Sequence, residues 1–161
     1  MSHRALFSCL ALTAAMLPIA AQSVCPSDNT IFACTTTKGK FVEVCDSGKV
    51  IRYIFGRRGQ TPELSLSVPR ESASTFQWAG IGRHMHYSVT IPNGNTHYRV
   101  FSSVDRLMED DEDNNSRFEA GIAVEVDGRH VVTVDCVPDT VTDNLEGIDL
   151  KPDDDETTRT K

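Results

Sequence analysis

The sequence predicts an all-β fold: an antiparallel β-sandwich or small barrel with two disulfides and a disordered, flexible acidic C-terminal tail. Three observations predict it. Short runs rich in β-branched and aromatic residues recur at intervals of roughly 8–12 residues, with turn residues between them. Two pairs of these runs are joined by Asn93-Gly94 and Asp127-Gly128, the strongest short hairpin signals. Four cysteines follow an apolar leader, and an even count in an exported chain reads as two disulfides.

The leader comes first. Met1-Ser2-His3-Arg4 precedes an apolar run from Ala5 to Ala21 that ends in small residues, the pattern of a secretory signal peptide. Cleavage after Ala21 removes Arg4 and Cys9 and leaves 140 residues, 15 basic and 23 acidic, with a net charge of −8. The expected localisation is periplasmic or secreted. No apolar run beyond the leader is long enough for a membrane span. The acidic balance argues against a nucleic-acid partner, which needs clustered Lys and Arg.

The strands follow in order. Residues 30–37 are Thr-rich and β-branched, and Phe41-Val42-Glu43-Val44-Cys45 alternates. Asp46-Ser47-Gly48 sets off the run Lys49 to Phe55. Leu64, Leu66 and Val68 share one face before Pro69 ends the strand. Residues 75–79 form a short strand carrying Trp78, the only tryptophan. His84 to Ile91 and Thr96 to Val104 make the first clear hairpin, and Ala120 to Val126 with Arg129 to Val137 the second. His130-Val131-Val132-Thr133-Val134 is apolar on both faces and is expected in the centre of a sheet. Glu109 to Asp113 must be a solvated loop, because adjacent acids resist burial. The domain is bounded at residues 22–138. Residues 139–161, with eight acids and three bases, form the tail.

The cysteines Cys25, Cys34, Cys45 and Cys136 lack a C-x-x-C pair, which favours disulfides over zinc. Four cysteines allow three connectivities. The expectation is Cys25–Cys34 as a local bridge and Cys45–Cys136 as a long one.

Chemistry-bearing motifs are few. No G-x-S-x-G elbow is present, the cysteines are expected oxidised, and Gly80-Ile81-Gly82 lacks the third glycine of a phosphate loop. An enzyme is not expected, nor a cofactor. The acidic loop lacks the Asp-x-Asp-x-Asp-Gly order that converges on calcium. His84-x-His86 places two imidazoles on one strand face, the weak candidates for metal. If Asn93-Gly94 is the two-residue turn, His86 faces Phe101 and His97 lies four residues further along, too far to complete a site. Glu125 faces His130 across the second hairpin. Tyr87, Val89, Tyr98 and Val100 share one face as core. The opposite face, with His84, His86, Arg99 and Phe101, is left as a candidate contact surface.

Ser47-Gly48 followed by Tyr53, together with Thr37-Lys38-Gly39, resembles the small periplasmic lysozyme inhibitors of Gram-negative bacteria. Those carry a Ser-Gly-x-x-Tyr loop that plugs the hydrolase cleft; here four residues separate Gly48 from Tyr53. The segments Gly59 to Leu64 and Ser72 to Trp78 resemble uncharacterised exported bacterial proteins. The inhibitor resemblance implies an exported binding protein that acts on a cationic cell-wall hydrolase such as lysozyme. Its candidate contacts are Ser47, Gly48 and Tyr53 by the partial motif, or else the exposed strand face around His84, His86 and Arg99. The alternatives are a periplasmic metal-binding protein using His84 and His86, or an interaction β-domain of unassigned role. Charge supports a basic partner, since a chain at −8 steers a cationic protein toward it.

Overall fold

A computed structural model describes residues 25–26, 29–107 and 117–153. The leader and the acidic run Glu109–Asp113 lie outside the described residues, as do residues 154–161. The chain forms β1 (Thr30–Thr35), β2 (Phe41–Asp46), β3 (Val50–Gly56), β4 (Leu64–Pro69), β5 (Ser74–Gln77) and β6 (His84–Asn93). It continues with β7 (Thr96–Asp105), β8 (Phe118–Val126), β9 (Arg129–Asp135), β10 (Thr142–Asp143) and β11 (Lys151–Pro152). Two sheets result, in the orders β10-β1-β2-β3-β4 and β11-β5-β6-β7-β8-β9. All pairings are antiparallel except β11 on β5.

The sheets pack face to face through their period-2 apolar positions. Phe32, Val42, Val44, Ile51 and Tyr53 of the first sheet meet Val89, Ile91, Val100 and Ile122 of the second. Burying a side chain of this size stabilises the fold by about 1.5–3 kcal/mol. Leu64, Leu66 and Val68 are half-buried on one face of β4, while Ser65 and Ser67 face solvent. Strands β1 to β9 follow the pattern read from the sequence, with Trp78 falling just beyond the end of β5.

Five expectations are corrected. The β6–β7 turn is Gly94-Asn95, because Asn93 pairs with Thr96 and Pro92 with His97. The positive φ of 62° at Gly94 falls on the first central residue, where a type II′ turn needs glycine. Asp127 and Gly128 are both left-handed, at φ 51° and 70°, the type I′ pattern. The two-residue shift at β6–β7 leaves every side chain on its expected face, since the strand period is two.

The valine-rich strand β9 is an edge strand among the described residues. Its register passes from Glu125↔His130 to Val124↔Val132, so Val131 is the extra residue of a β-bulge and is 60% exposed. The bulge explains the double-faced apolar run: Val132 and Val134 pair with inward residues of β8, and Val131 belongs to neither face. At the far end of β9, Thr37 N–H donates to Asp135 C=O at 2.9 Å and Val137 N–H to Thr35 C=O at 2.8 Å. These bonds join the edge of the second sheet to β1.

The disulfides are Cys25–Cys45 and Cys34–Cys136, with Cα separations of 5.6 and 5.8 Å. The expected pairing fails because Cys45, one residue before the end of β2, lies opposite Thr30, beside the residues that lead into β1. Cys34 lies on β1, where the bridge Thr36↔Cys136 brings in the chain after β9.

The supposed tail is structured as far as Asp153. Thr140 Oγ1 accepts from Thr35 N–H at 2.9 Å, and β10 extends the first sheet against β1. Leu145 is fully buried, and Gln77 holds the backbone on either side of Glu146 through Leu145 C=O at 2.9 Å and Gly147 N–H at 2.8 Å. The domain therefore extends past Pro138 at least to Asp153.

Candidate functional site

The Ser47-Gly48 turn and Tyr53 do not form one surface. Gly48 sits in the β2–β3 turn at φ 81°, its N–H donating to Asp46 Oδ1 at 2.7 Å. Ser47 Oγ donates to Val50 C=O at 3.1 Å. Tyr53 points the other way, into the core, 2% exposed and with its ring centroid 5.3 Å from that of Tyr98. Burial, reinforced by Tyr98, raises its phenol far above the usual range. A side chain in that position stabilises the sandwich and is not available to a partner on the surface.

The outer face of the second sheet carries His84, His86 and Arg99, as their strand parity requires. His84 is exposed at the start of β6 opposite Asp105. His86 is half-buried between the rings of Phe76 and Phe101, at 5.4 and 5.8 Å. Burial first, and then the charge of Arg99, hold its pKa below the ordinary histidine value. His97 pairs with Pro92, which places it six residues along the sheet from His86. Among the described residues no cluster of three His, Cys, Asp or Glu side chains is arranged to hold a metal ion.

Arg99 is fixed rather than displayed. Its Nε donates to Thr90 Oγ1 at 3.2 Å and lies 3.9 Å from Asp153, and a terminal nitrogen lies 3.5 Å from Glu125. Glu125 pairs with His130 across the hairpin as expected, but its carboxylate turns to Arg99. His130 shares a 2.9 Å hydrogen bond with Thr133. The cavity of about 220 Å³ beside Arg99 is thus lined by mutually satisfied charges.

The most prominent exposed apolar feature is elsewhere. Between β5 and β6 the chain runs from Trp78 to Arg83, and Ile81 at its tip is 85% exposed between Gly80 and Gly82, at φ 85° and 99°. The loop is braced. Trp78 Nε1 donates to Ile81 C=O at 2.8 Å, and the Arg106 guanidinium stacks 5.1 Å over the Trp78 ring. Arg83 grips both oxygens of Asp105 through Nε, at 2.7 and 2.8 Å, and holds that carboxyl down to about 2. Arg106 N–H donates to Arg83 C=O at 3.1 Å, which brings the neighbouring Leu107, 77% exposed, to the same end of the sheet.

From sequence, Gly80-Ile81-Gly82 reads only as an incomplete phosphate loop, so Ile81 does not stand out there. The available signal was an isolated large apolar residue between glycines outside any strand pattern.

No protein-family model, curated protein or solved structure matches this chain.

Proposed function

We propose that this is an exported protein-binding module that engages a basic partner through the loop Trp78–Arg83, with a cell-wall hydrolase such as a lysozyme as the partner class. The observation that carries it is Ile81: a large apolar side chain, 85% exposed, on a loop whose shape is already fixed by Trp78, Arg83 and Arg106. Holding such a residue in place in the free protein lowers the ordering cost of association. Exposed apolar residues at the centre of a contact, with charge around them, are the usual anatomy of an interface.

The basic partner is supported by charge. From Leu107 the sequence passes within two residues into the acidic run Glu109–Asp113, and the chain after Ala21 carries a net −8. Charge of this sign accelerates encounter with a cationic protein and weakens as salt rises. Export is supported by the leader pattern of residues 1–21 and by two disulfides, which persist in oxidising compartments.

The test is inhibition and complex formation with c-, g- and i-type lysozymes at low salt, using residues 22–161 and the variant Ile81→Asp. The expected result is a complex with the unmodified chain that Ile81→Asp abolishes and that added salt weakens. Absence of both inhibition and complex with all three enzymes discards lysozyme as partner. Inhibition unaffected by Ile81→Asp keeps the partner and discards the loop.

A further inference from the structure

At the opposite sheet from this loop, the β1–β2 and β3–β4 turns lie side by side at one end of β1–β4 and enclose a groove of about 320 Å³. Its lining includes Lys40, Arg57 and Arg58 together with Phe41, Gly39 and Gln60, and among the described residues no carboxylate lines it. That is unexpected in a chain with 23 acids and 16 bases. Lys38 adds a further cation on the exposed β1–β2 turn.

The groove is preformed. Thr36 N–H donates to Lys40 C=O at 2.7 Å, Gly39 N–H to Thr36 C=O at 2.8 Å and Lys40 N–H to Thr36 Oγ1 at 3.1 Å, which locks the first turn. Gly39 adopts φ 71° and contributes no side chain to block the opening. In the second turn Gln60 N–H donates to Arg57 C=O at 3.2 Å. The Arg58 guanidinium rests 5.3 Å over the Phe41 ring, and the Lys40 ammonium 5.0 Å over Phe55. Lys40 also pairs with Glu63 at 2.5 Å, whereas Arg57 and Arg58 pair with no described acid.

We infer that this groove binds a phosphate group. Two guanidinium groups present paired N–H donors that the several oxygens of a phosphate, as monoester or diester, can accept together. The volume lies at the lower end for ligand sites, room for a phosphate attached to a small polar body. Phe41 supplies an apolar wall for that body. The chain as a whole repels an anion at long range, so selectivity must come from short-range bidentate contacts in the groove. The phosphate is either free, as in a soluble ester, or displayed on a lipid surface, and the chemistry recognised is the same.

The experiment follows backbone amide resonances of residues 22–161 during titration with pyrophosphate, and separately with vesicles of phosphatidylglycerol or of phosphatidylcholine. Saturable shifts are expected at Gly39, Phe41, Arg57 and Gln60. The double variant Arg57→Ser/Arg58→Ser should lose at least roughly tenfold in affinity, as expected for removing charge-assisted hydrogen bonds. Arg57→Ser alone, which leaves the Arg58–Phe41 contact intact, should lose part of that, with an unchanged unfolding temperature. A response to pyrophosphate identifies a soluble ligand. A response to phosphatidylglycerol vesicles alone identifies a lipid surface. If neither probe shifts these amides, or if the double variant responds as the unmodified chain does, the inference is wrong.

Discussion

Asp153, close to the C-terminus, accepts a hydrogen bond from the hydroxyl of Ser74, 79 residues earlier on β5. That carboxylate is 6% exposed, also meets Thr90 Oγ1 at 3.3 Å, and fastens β11 to the edge of the second sheet. Residues 139–153 of the acidic segment are therefore part of the folding unit. Replacing Asp153 by Ala should cost about 1–3 kcal/mol, because Ser74 and Arg99 lose a buried partner. Leu145→Ala should cost about 2–5 kcal/mol, the range for emptying a filled core position. Urea denaturation measures both. A chain ending at Pro138 that kept the full-length urea midpoint would contradict the account.

The two disulfides should differ in their contribution. Cys34–Cys136 spans 102 residues and Cys25–Cys45 spans 20. On chain-entropy grounds the long bridge contributes about 4.7 kcal/mol and the short one about 3 kcal/mol. Replacing Cys34 and Cys136 by Ala should thus lower stability more than replacing Cys25 and Cys45. Non-reducing peptide mapping checks the connectivity first: a peptide joining Cys25 to Cys34 would refute it.

Much of this fold was legible, for reasons that particular residues make plain. Strand positions followed from period-2 patterning because one face of each strand faces a common core, as Leu64, Leu66 and Val68 do. What escaped was non-local. Val131-Val132 looked like a central strand because a bulge inserts one residue, and a bulge leaves no local composition signal. The acidic segment looked disordered because its apolar anchor Leu145 stands among acids, and its partners on β5 are some 70 residues away. The candidate site was partly legible for the same reason. Parity placed His86 and Arg99 on the outer face correctly, whereas Tyr53 took its role from a three-residue likeness that carried no information about facing.

His86 makes stability depend on pH. Its folded pKa lies below the ordinary value, so the unfolded chain binds the proton more readily. The contribution is complete above the unfolded pKa of about 6.5 and declines as pH falls below it. Unfolding temperature should therefore drop between pH 7.5 and 5, and His86→Leu should flatten that part of the profile. Asp105 acts at lower pH: with its carboxyl held down to about 2 by Arg83, its contribution is present above about 4 and is lost as pH falls toward 2. Arg83→Ala should remove this second decline while leaving the first in place.

Gly121 offers a test of how tightly the outer face is closed. It pairs with Phe101 on β7 and Asp135 on β9. A Cβ added there would lie 2.7 Å from the Val134 carbonyl oxygen and 3.3 Å from two atoms of the Phe101 ring. The ring can swing away, but the oxygen belongs to the backbone of β9 and moves only if the strand moves. Gly121→Ala is therefore expected to destabilise by about 1–3 kcal/mol, the range for overpacking. Gly80→Ala is the control of opposite kind, since its added Cβ meets nothing within 4 Å and its cost comes only from φ 85°. Because the added Cβ meets both the β9 backbone at Val134 and the Phe101 ring, which itself stacks on His86, the strain at Gly121 should also show as broadened or shifted amide resonances in β9 and near His86. The Gly80 variant should leave both regions unchanged. Equal stability of Gly121→Ala and the unmodified protein in urea would mean that β9 yields freely, and that the second sheet is looser at its edge than its hydrogen bonds to Thr35 and Thr37 require.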